Sequence, residues 1–203
     1  MYDATLRGTL TTSKGRVELE AFVCSERDLL VVRTTPSRGE RVRWDFTPSE
    51  ARSTRFDFRT DDLPAGLQKN PAPVVSDNEV YQKLTVGGGT TTAWRVDDDT
   101  IYRTVAHTFP DDNSRSIARR TLRQAGSFRE LRREHRGWWN RYYAKSFVSV
   151  PDGRIQSFYW IQLYKIAAAT RADNRRSAPP RSGWSPPRGG PPGGTSTCSW
   201  STG

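Results

Sequence analysis

Two adjacent tryptophans, Trp138 and Trp139, follow His135 by three and four residues and are the first side chains in this 203-residue chain that invite a chemical reading. Indole faces stack on sugar rings, and an imidazole exchanges protons near neutral pH. On neighbouring helix positions only one of the two indoles easily faces a given partner, so packing against the strand domain is the expected role of the pair. His135 falls on the apolar stripe of the same helix, and His107 on a strand face shared with Ile101 and Val105. Neither has a Ser or Cys at a strained elbow or an acid at paired spacing, and both read as ordinary packed histidines.

The carboxylates are no better placed. Acid–base catalysis by a carboxyl pair needs the two groups held on opposite sides of a substrate with room for a water. Asp97 to Asp99 form a run between two strands, the place of a turn, and Asp152 stands at a helix start, where backbone amides are its natural partners. "VGGGT", from Val86 to Thr90, lacks the Lys-Ser/Thr and the following helix of a phosphate loop and reads as a hairpin turn. The two cysteines, Cys24 and Cys198, make no disulfide framework, and no Cys or His lies at metal-ligand spacing from either. The sequence therefore assigns no catalytic residue, metal ligand or cofactor site, and identifies no substrate-binding residue.

The elements that would carry these side chains fall into four segments. Residues 1–111 read as strands. "RVELEAFV" puts Val17, Leu19, Ala21 and Val23 on one face with Glu18 and Glu20 opposite, and after "SERD" the run "LLVVRT" has little polar surface on either face, as a central strand would. "VYQKLTV", "TTTAWRV" and "TIYRTVAHTF" are separated by Gly87 to Gly89 and by Asp97 to Asp99. Several strands with short polar turns and no helix between them predict an antiparallel β-sandwich, incomplete at its N-terminal edge.

Residues 112–148 predict one basic amphipathic linker helix. "PDDNS" offers Asp, Asn and Ser to its free amides, and Leu122, Ala125, Phe128, Leu131, His135, Trp138 and Tyr142 line one stripe, with the arginines toward solvent. Gly126 and Gly137 are the points where it could bend or fray. Pro151 suits the first turn of a further helix across 149–173, in which Ile155, Phe158, Tyr159, Ile161, Leu163, Tyr164 and Ile166 surround the axis. A helix apolar on nearly every side has to be covered by several neighbours. Residues 174–203 supply none: six of the 13 prolines and six of the 16 glycines fall there, a composition expected to be disordered.

Charge bounds the partners. Of the net +10, residues 115–145 carry a surplus of eight and the tail adds four arginines, so the remaining chain is at −2. A mildly acidic body with one basic helix does not match a groove built for phosphates, and nucleic acid is not an expected partner. The sequence contains no run of about 18 apolar residues and no secretory leader, so neither a membrane span nor export is expected and the location as written is cytoplasmic.

"VELEAFVCSERDLLVVR", "LTVGGGTTTAWRV", "TVAHTFPDD" and above all "HRGWWNRYYAKSFVSVPDGRIQSFYWIQLYKIAAATR" resemble bacterial glycoside hydrolases of the family 95 type, the α-fucosidase-like enzymes. The resemblance spans residues 1–173. It implies an N-terminal β-sandwich joined by linker helices to an (α/α)6 barrel, the last quoted stretch matching the linker and the first barrel helix. It also implies inverting hydrolysis of a glycosidic bond, with a barrel glutamate as general acid and water activated from the other face. Those groups would lie beyond the first barrel helix and have no counterpart here, so the resemblance transfers no catalytic residue. Carbohydrate is the partner of the parent enzyme that it implies.

Two functional classes follow. In one the chain is the non-catalytic front portion of a glycosidase, inactive alone. In the other the sandwich is a stand-alone carbohydrate-binding or interaction module with the helices as an attachment arm. The tail alphabet of Arg, Pro, Gly, Ser and Trp is what GC-rich codons give when read out of frame, so a frameshift near residue 173 accounts for the abrupt change, an evolved Pro/Gly tail being the alternative.

Overall fold

The computed structural model describes residues 3–49, Gly66 and 68–170. The expectation of a disordered tail falls on 174–203, outside the described residues.

Among the described residues seven strands form one antiparallel sheet: β1 (Leu6–Thr11), β2 (Arg16–Val23), β3 (Leu29–Pro36), β4 (Val74–Ser76), β5 (Glu79–Lys83), β6 (Gly89–Asp97) and β7 (Thr100–Thr108). Their spatial order is β1-β2-β3-β7-β6-β5-β4, so two meanders meet where β3 pairs with β7. Three helices follow among the described residues, α1 (Ser114–Arg123), α2 (Phe128–Tyr143) and α3 (Gly153–Ala169). The chain is thus mainly β with C-terminal α, as its patterning predicts.

The turns follow from residue type. The run Asp97 to Asp99 closes β6 onto β7, with Asp98 at φ +48°, a left-handed conformation that Asp tolerates better than most residues. The three glycines join β5 to β6. Gly88 has φ +74°, and a Cβ there would overlap the carbonyl oxygen of Thr108, so no other residue fits. The "SERD" turn is closed by the Cys24 amide donating to the Leu29 carbonyl at 2.8 Å.

One face of the sheet is covered by α1 and the first turns of α2, burying Phe22, Leu29, Val31, Ala93, Tyr102 and Ala106 against Ala118, Leu122, Phe128 and Leu131. Each Val, Leu or Phe side chain among them contributes about 1.5–3 kcal/mol of burial, and each Ala less. The registers Phe22↔Val31↔Tyr102 put these residues in line across β2, β3 and β7. β3 is the central strand its sequence predicts. For β2 the inward face is the other one: Phe22 is buried beside Glu18 and Glu20, while Val23 is 58% exposed. Alternation misleads here because both faces of β2 carry apolar residues. The charged face can turn toward the helices because α2 supplies Arg132 to Glu20.

The opposite face bears Val17, Leu19, Leu30, Val32 and Ile101, with Leu6, Leu10 and Val105 more exposed. Phe46 stacks on Trp94 there, centroids 4.7 Å apart, and Arg103 lies over the Phe46 ring. Among the described residues no second sheet covers it, and it is the open side of the sheet.

The linker is two helices rather than one. Ser127 caps α2 with a complete capping box: its hydroxyl accepts from the Glu130 amide, and the Glu130 carboxylate accepts from the Ser127 amide at 2.9 Å. The break falls beside Gly126, whereas Gly137 sits within an unbroken α2. Asn113 at the α1 start makes no side-chain cap. Ser114 instead bonds Thr91 at 2.8 Å, and Asp112 accepts from the Tyr81 hydroxyl, so these side chains tie the helix to the sheet. α3 starts at Gly153, with Pro151 just ahead of its N-cap rather than inside its first turn.

Candidate functional site

Aromatic side chains concentrate where α2 meets α3. Buried positions on α2 run Phe128, Leu131, His135 and Trp139, spacings of three, four and four. The second indole therefore completes the stripe in place of Trp138. Trp139 is 2% exposed, stacks on Tyr164 of α3 at 5.4 Å and approaches His135 edge-on at 6.2 Å. His135 in turn stacks on Phe22 of the sheet at 4.8 Å, so one continuous column of rings runs from sheet to α3. Trp138 lays one ring face on Tyr142 at 5.2 Å and 9°. Trp139 is therefore packing, seated on α3 and His135 rather than directly on the strand domain as expected, while Trp138 stays half-buried against Tyr142.

α3 is fastened along this seam. The Tyr142 hydroxyl donates to the Leu163 carbonyl at 3.2 Å, Tyr143 meets Trp160 edge-on at 5.6 Å, and the Tyr159 and Ser146 hydroxyls are hydrogen-bonded. Asp152 caps the helix by accepting from the amides of Arg154 at 2.8 Å and Ile155 at 3.3 Å, as its position predicts. The outer side of α3 meets nothing among the described residues that would bury it: Ile155, Phe158 and Ile166 are 59%, 62% and 56% exposed, and Ala167 is its one buried residue.

Below the ring column lies a charged clamp that the sequence did not announce. Asp3 accepts from Arg7 through both oxygens, at 3.2 and 2.7 Å, and lies 3.5 Å from Arg136 Nε. Arg7 also reaches Glu20 at 3.3 Å, and Arg132 Nε is 2.9 Å from the same carboxylate. His135 Nε2 is 3.3 Å from the Ala4 carbonyl oxygen. The Arg7 hydrogen bonds hold the Asp3 carboxyl below the usual carboxylate range. A guanidinium bridges the two acids where an inverting hydrolase would need space for water, so the pair does not have the geometry of catalytic carboxylates. The legible signal was the i, i+4 spacing of Arg132 and Arg136, and likewise of Arg115 and Arg119, which both pair with Glu79. These four arginines keep 38–58% of their side chains exposed, as the amphipathic pattern predicts, while their guanidiniums reach back to carboxylates at the sheet.

The other singled-out residues are scattered. His107 is on the strand face that the alternation predicts, and it is exposed there. Asp97 to Asp99 lie at the far turn. Cys24 is buried, and burial pushes its thiol up to about 11, away from nucleophilic use at neutral pH. Burial also pushes the Tyr143 phenol up to about 12. Among the described residues no three His, Cys, Asp or Glu side chains converge as a metal site would require, and no helix is long and apolar enough to cross a membrane.

The fold and its aromatic seam thus define a class: a mainly-β domain whose sheet is capped by two helices and extended by a third helix with an uncovered apolar flank. No family model matches this chain, and no curated protein or solved structure does so either.

Proposed function

We propose that this chain is the N-terminal, non-catalytic portion of a glycoside hydrolase of the α-fucosidase-like type, inactive alone, with α3 as the first helix of an (α/α)6 barrel. The observation that supports it is the outer flank of α3, where Ile155, Phe158 and Ile166 stand exposed on a helix otherwise fastened by rings. An isolated binding module gains nothing from such a flank, whereas a barrel helix needs one side for the linker and the others for neighbouring helices.

The test has two arms. The chain alone should bind a hydrophobic dye and self-associate, and the triple variant Ile155→Gln, Phe158→Gln, Ile166→Gln should lose most of that dye signal. The DNA downstream of codon 173 should continue an apolar helical pattern in one of its frames. A dye-silent, monodisperse, cooperatively melting chain that binds a neutral sugar would replace this reading with that of a stand-alone module.

A further inference from the structure

A cleft of about 370 Å³ opens between the C-terminal half of α1 and the sheet where β5 pairs with β6, and its wall includes Glu79, Arg95, Arg119 and Arg123. Its acids are already engaged. Glu79, buried, takes Arg119 Nε at 2.7 Å and Nη2 at 3.0 Å on its two oxygens, with Arg115 Nε at 3.1 Å. Asp97 holds Arg95 Nε at 3.0 Å. On the cleft wall itself three guanidiniums, Arg95, Arg119 and Arg123, thus stand against one carboxylate, Glu79, a local surplus of positive charge in a concave site.

The donors that remain are well placed. Arg119 spends its Nε and Nη2 on Glu79, which leaves Nη1 for another acceptor. Arg95 is fixed over the Tyr102 ring at 4.6 Å, and its Nη1 donates to the Leu122 carbonyl at 3.3 Å. That bond also neutralises the negative end of α1, which would otherwise repel an anion. Arg123, in the last turn of α1 and on the cleft wall, makes no ion pair among the described residues. A guanidinium matches the two-oxygen edge of a carboxylate or phosphate bidentately, which an ammonium does not.

We propose that this cleft binds a small oxyanion, held by Arg123 and Arg119 with Arg95 as a fixed third charge. The shared chemistry is a planar or tetrahedral oxyanion, whose source is the carboxylate of an acidic sugar or free phosphate. The site stands apart from the glycosidase reading and would survive its failure.

The experiment is a ¹⁵N NMR titration of the full chain with inorganic phosphate, with glucuronate, and with glucose as the neutral control. Saturable shifts are expected at Asn78, Leu122 and Arg123 with the anions and none with glucose. The tighter of the two anions identifies the source. Arg123→Gln should weaken binding about tenfold or more, the loss of a charge-assisted pair. Arg120→Gln, exposed on the same helix but off the cleft wall, should leave it unchanged. Glu79→Gln removes the competing negative charge and should tighten binding, an effect of opposite sign that loss of folding cannot mimic. Shifts spread evenly along α1 and α2, or equal weakening by Arg120→Gln and Arg123→Gln, would overturn the proposal.

Discussion

Replacing Trp139 by Ala, with Trp138→Ala as its twin, tests whether the ring column holds α3 to the sheet. Adjacent, chemically identical residues should differ sharply. Trp139 is almost wholly buried between His135, Tyr143 and Tyr164, and truncating such an aromatic costs about 3–5 kcal/mol through lost burial and the cavity left behind. Trp138 is only half-buried against Tyr142, and its truncation should cost about 1 kcal/mol. In a chain of this size each kcal/mol moves the thermal midpoint by about 2–4 °C, so midpoints should fall by about 6–20 °C for Trp139→Ala and only about 2–4 °C for Trp138→Ala. Thermal melts read by far-UV circular dichroism measure both. The near-UV signal of the stacked rings should fade in the Trp139 variant, with dye binding rising as α3 loosens. Equal losses, or a larger loss from Trp138→Ala, would refute the assignment of Trp139 as the anchor.

Three further perturbations have defined signs. The Asp3 carboxyl is lowered in the folded chain chiefly by Arg7, so its stabilisation is complete above the unfolded value near pH ~4 and is lost as pH falls through the folded value; Asp3→Asn should flatten that acid limb of the stability–pH curve and leave its alkaline side unchanged. Gly88→Ala should destabilise by more than about 1 kcal/mol in denaturant titrations, because its φ is positive and the methyl meets the Thr108 carbonyl, whereas Gly8→Ala, with open space at its Cβ, should fall within about 0.5 kcal/mol of the parent. Cys24 should resist a thiol-specific reagent at pH 8 until denaturant is added, as followed by peptide mass mapping; labelling as fast as that of an exposed thiol would contradict its burial and raised thiol value.

The turns were legible because Gly and Asp encode them: the glycine hairpin at Gly87 to Gly89 and the acidic turn at Asp97 to Asp99 both lie where the sequence puts them. The break between α1 and α2 was legible too, since Ser127 and Glu130 are spaced as a capping box, but apolar residues continue at helical spacing across the gap and obscure it. The inward face of β2 was not legible. With Leu19 and Phe22 on opposite faces, period-2 alternation fixes the strand but not its orientation, which depends on Arg132 arriving from over a hundred residues away to neutralise Glu20. Nor could sequence spacing choose between Trp138 and Trp139, because helical periods of three and four admit either, and only the position of Tyr164 decides.

The same long-range logic changes what the basic composition means. Arg115, Arg119, Arg132 and Arg136 pair with Glu79, Glu20 and Asp3, so four of the ten basic residues between Arg115 and Lys145 serve the helix–sheet interface. Their carboxylates are at most one-fifth exposed and each is met by two arginines, so only removing both leaves an uncompensated buried charge, a much larger loss than breaking a surface pair. Arg119→Gln should therefore destabilise the chain substantially less than Arg115→Gln together with Arg119→Gln, because either arginine alone still neutralises Glu79. Arg123→Gln should leave the denaturation midpoint unchanged, since Arg123 holds no sheet carboxylate among the described residues. A midpoint shift for Arg123→Gln as large as that for the Arg115→Gln, Arg119→Gln double variant would mean that Arg123 is structural, which would remove its distinction from the two arginines that neutralise Glu79.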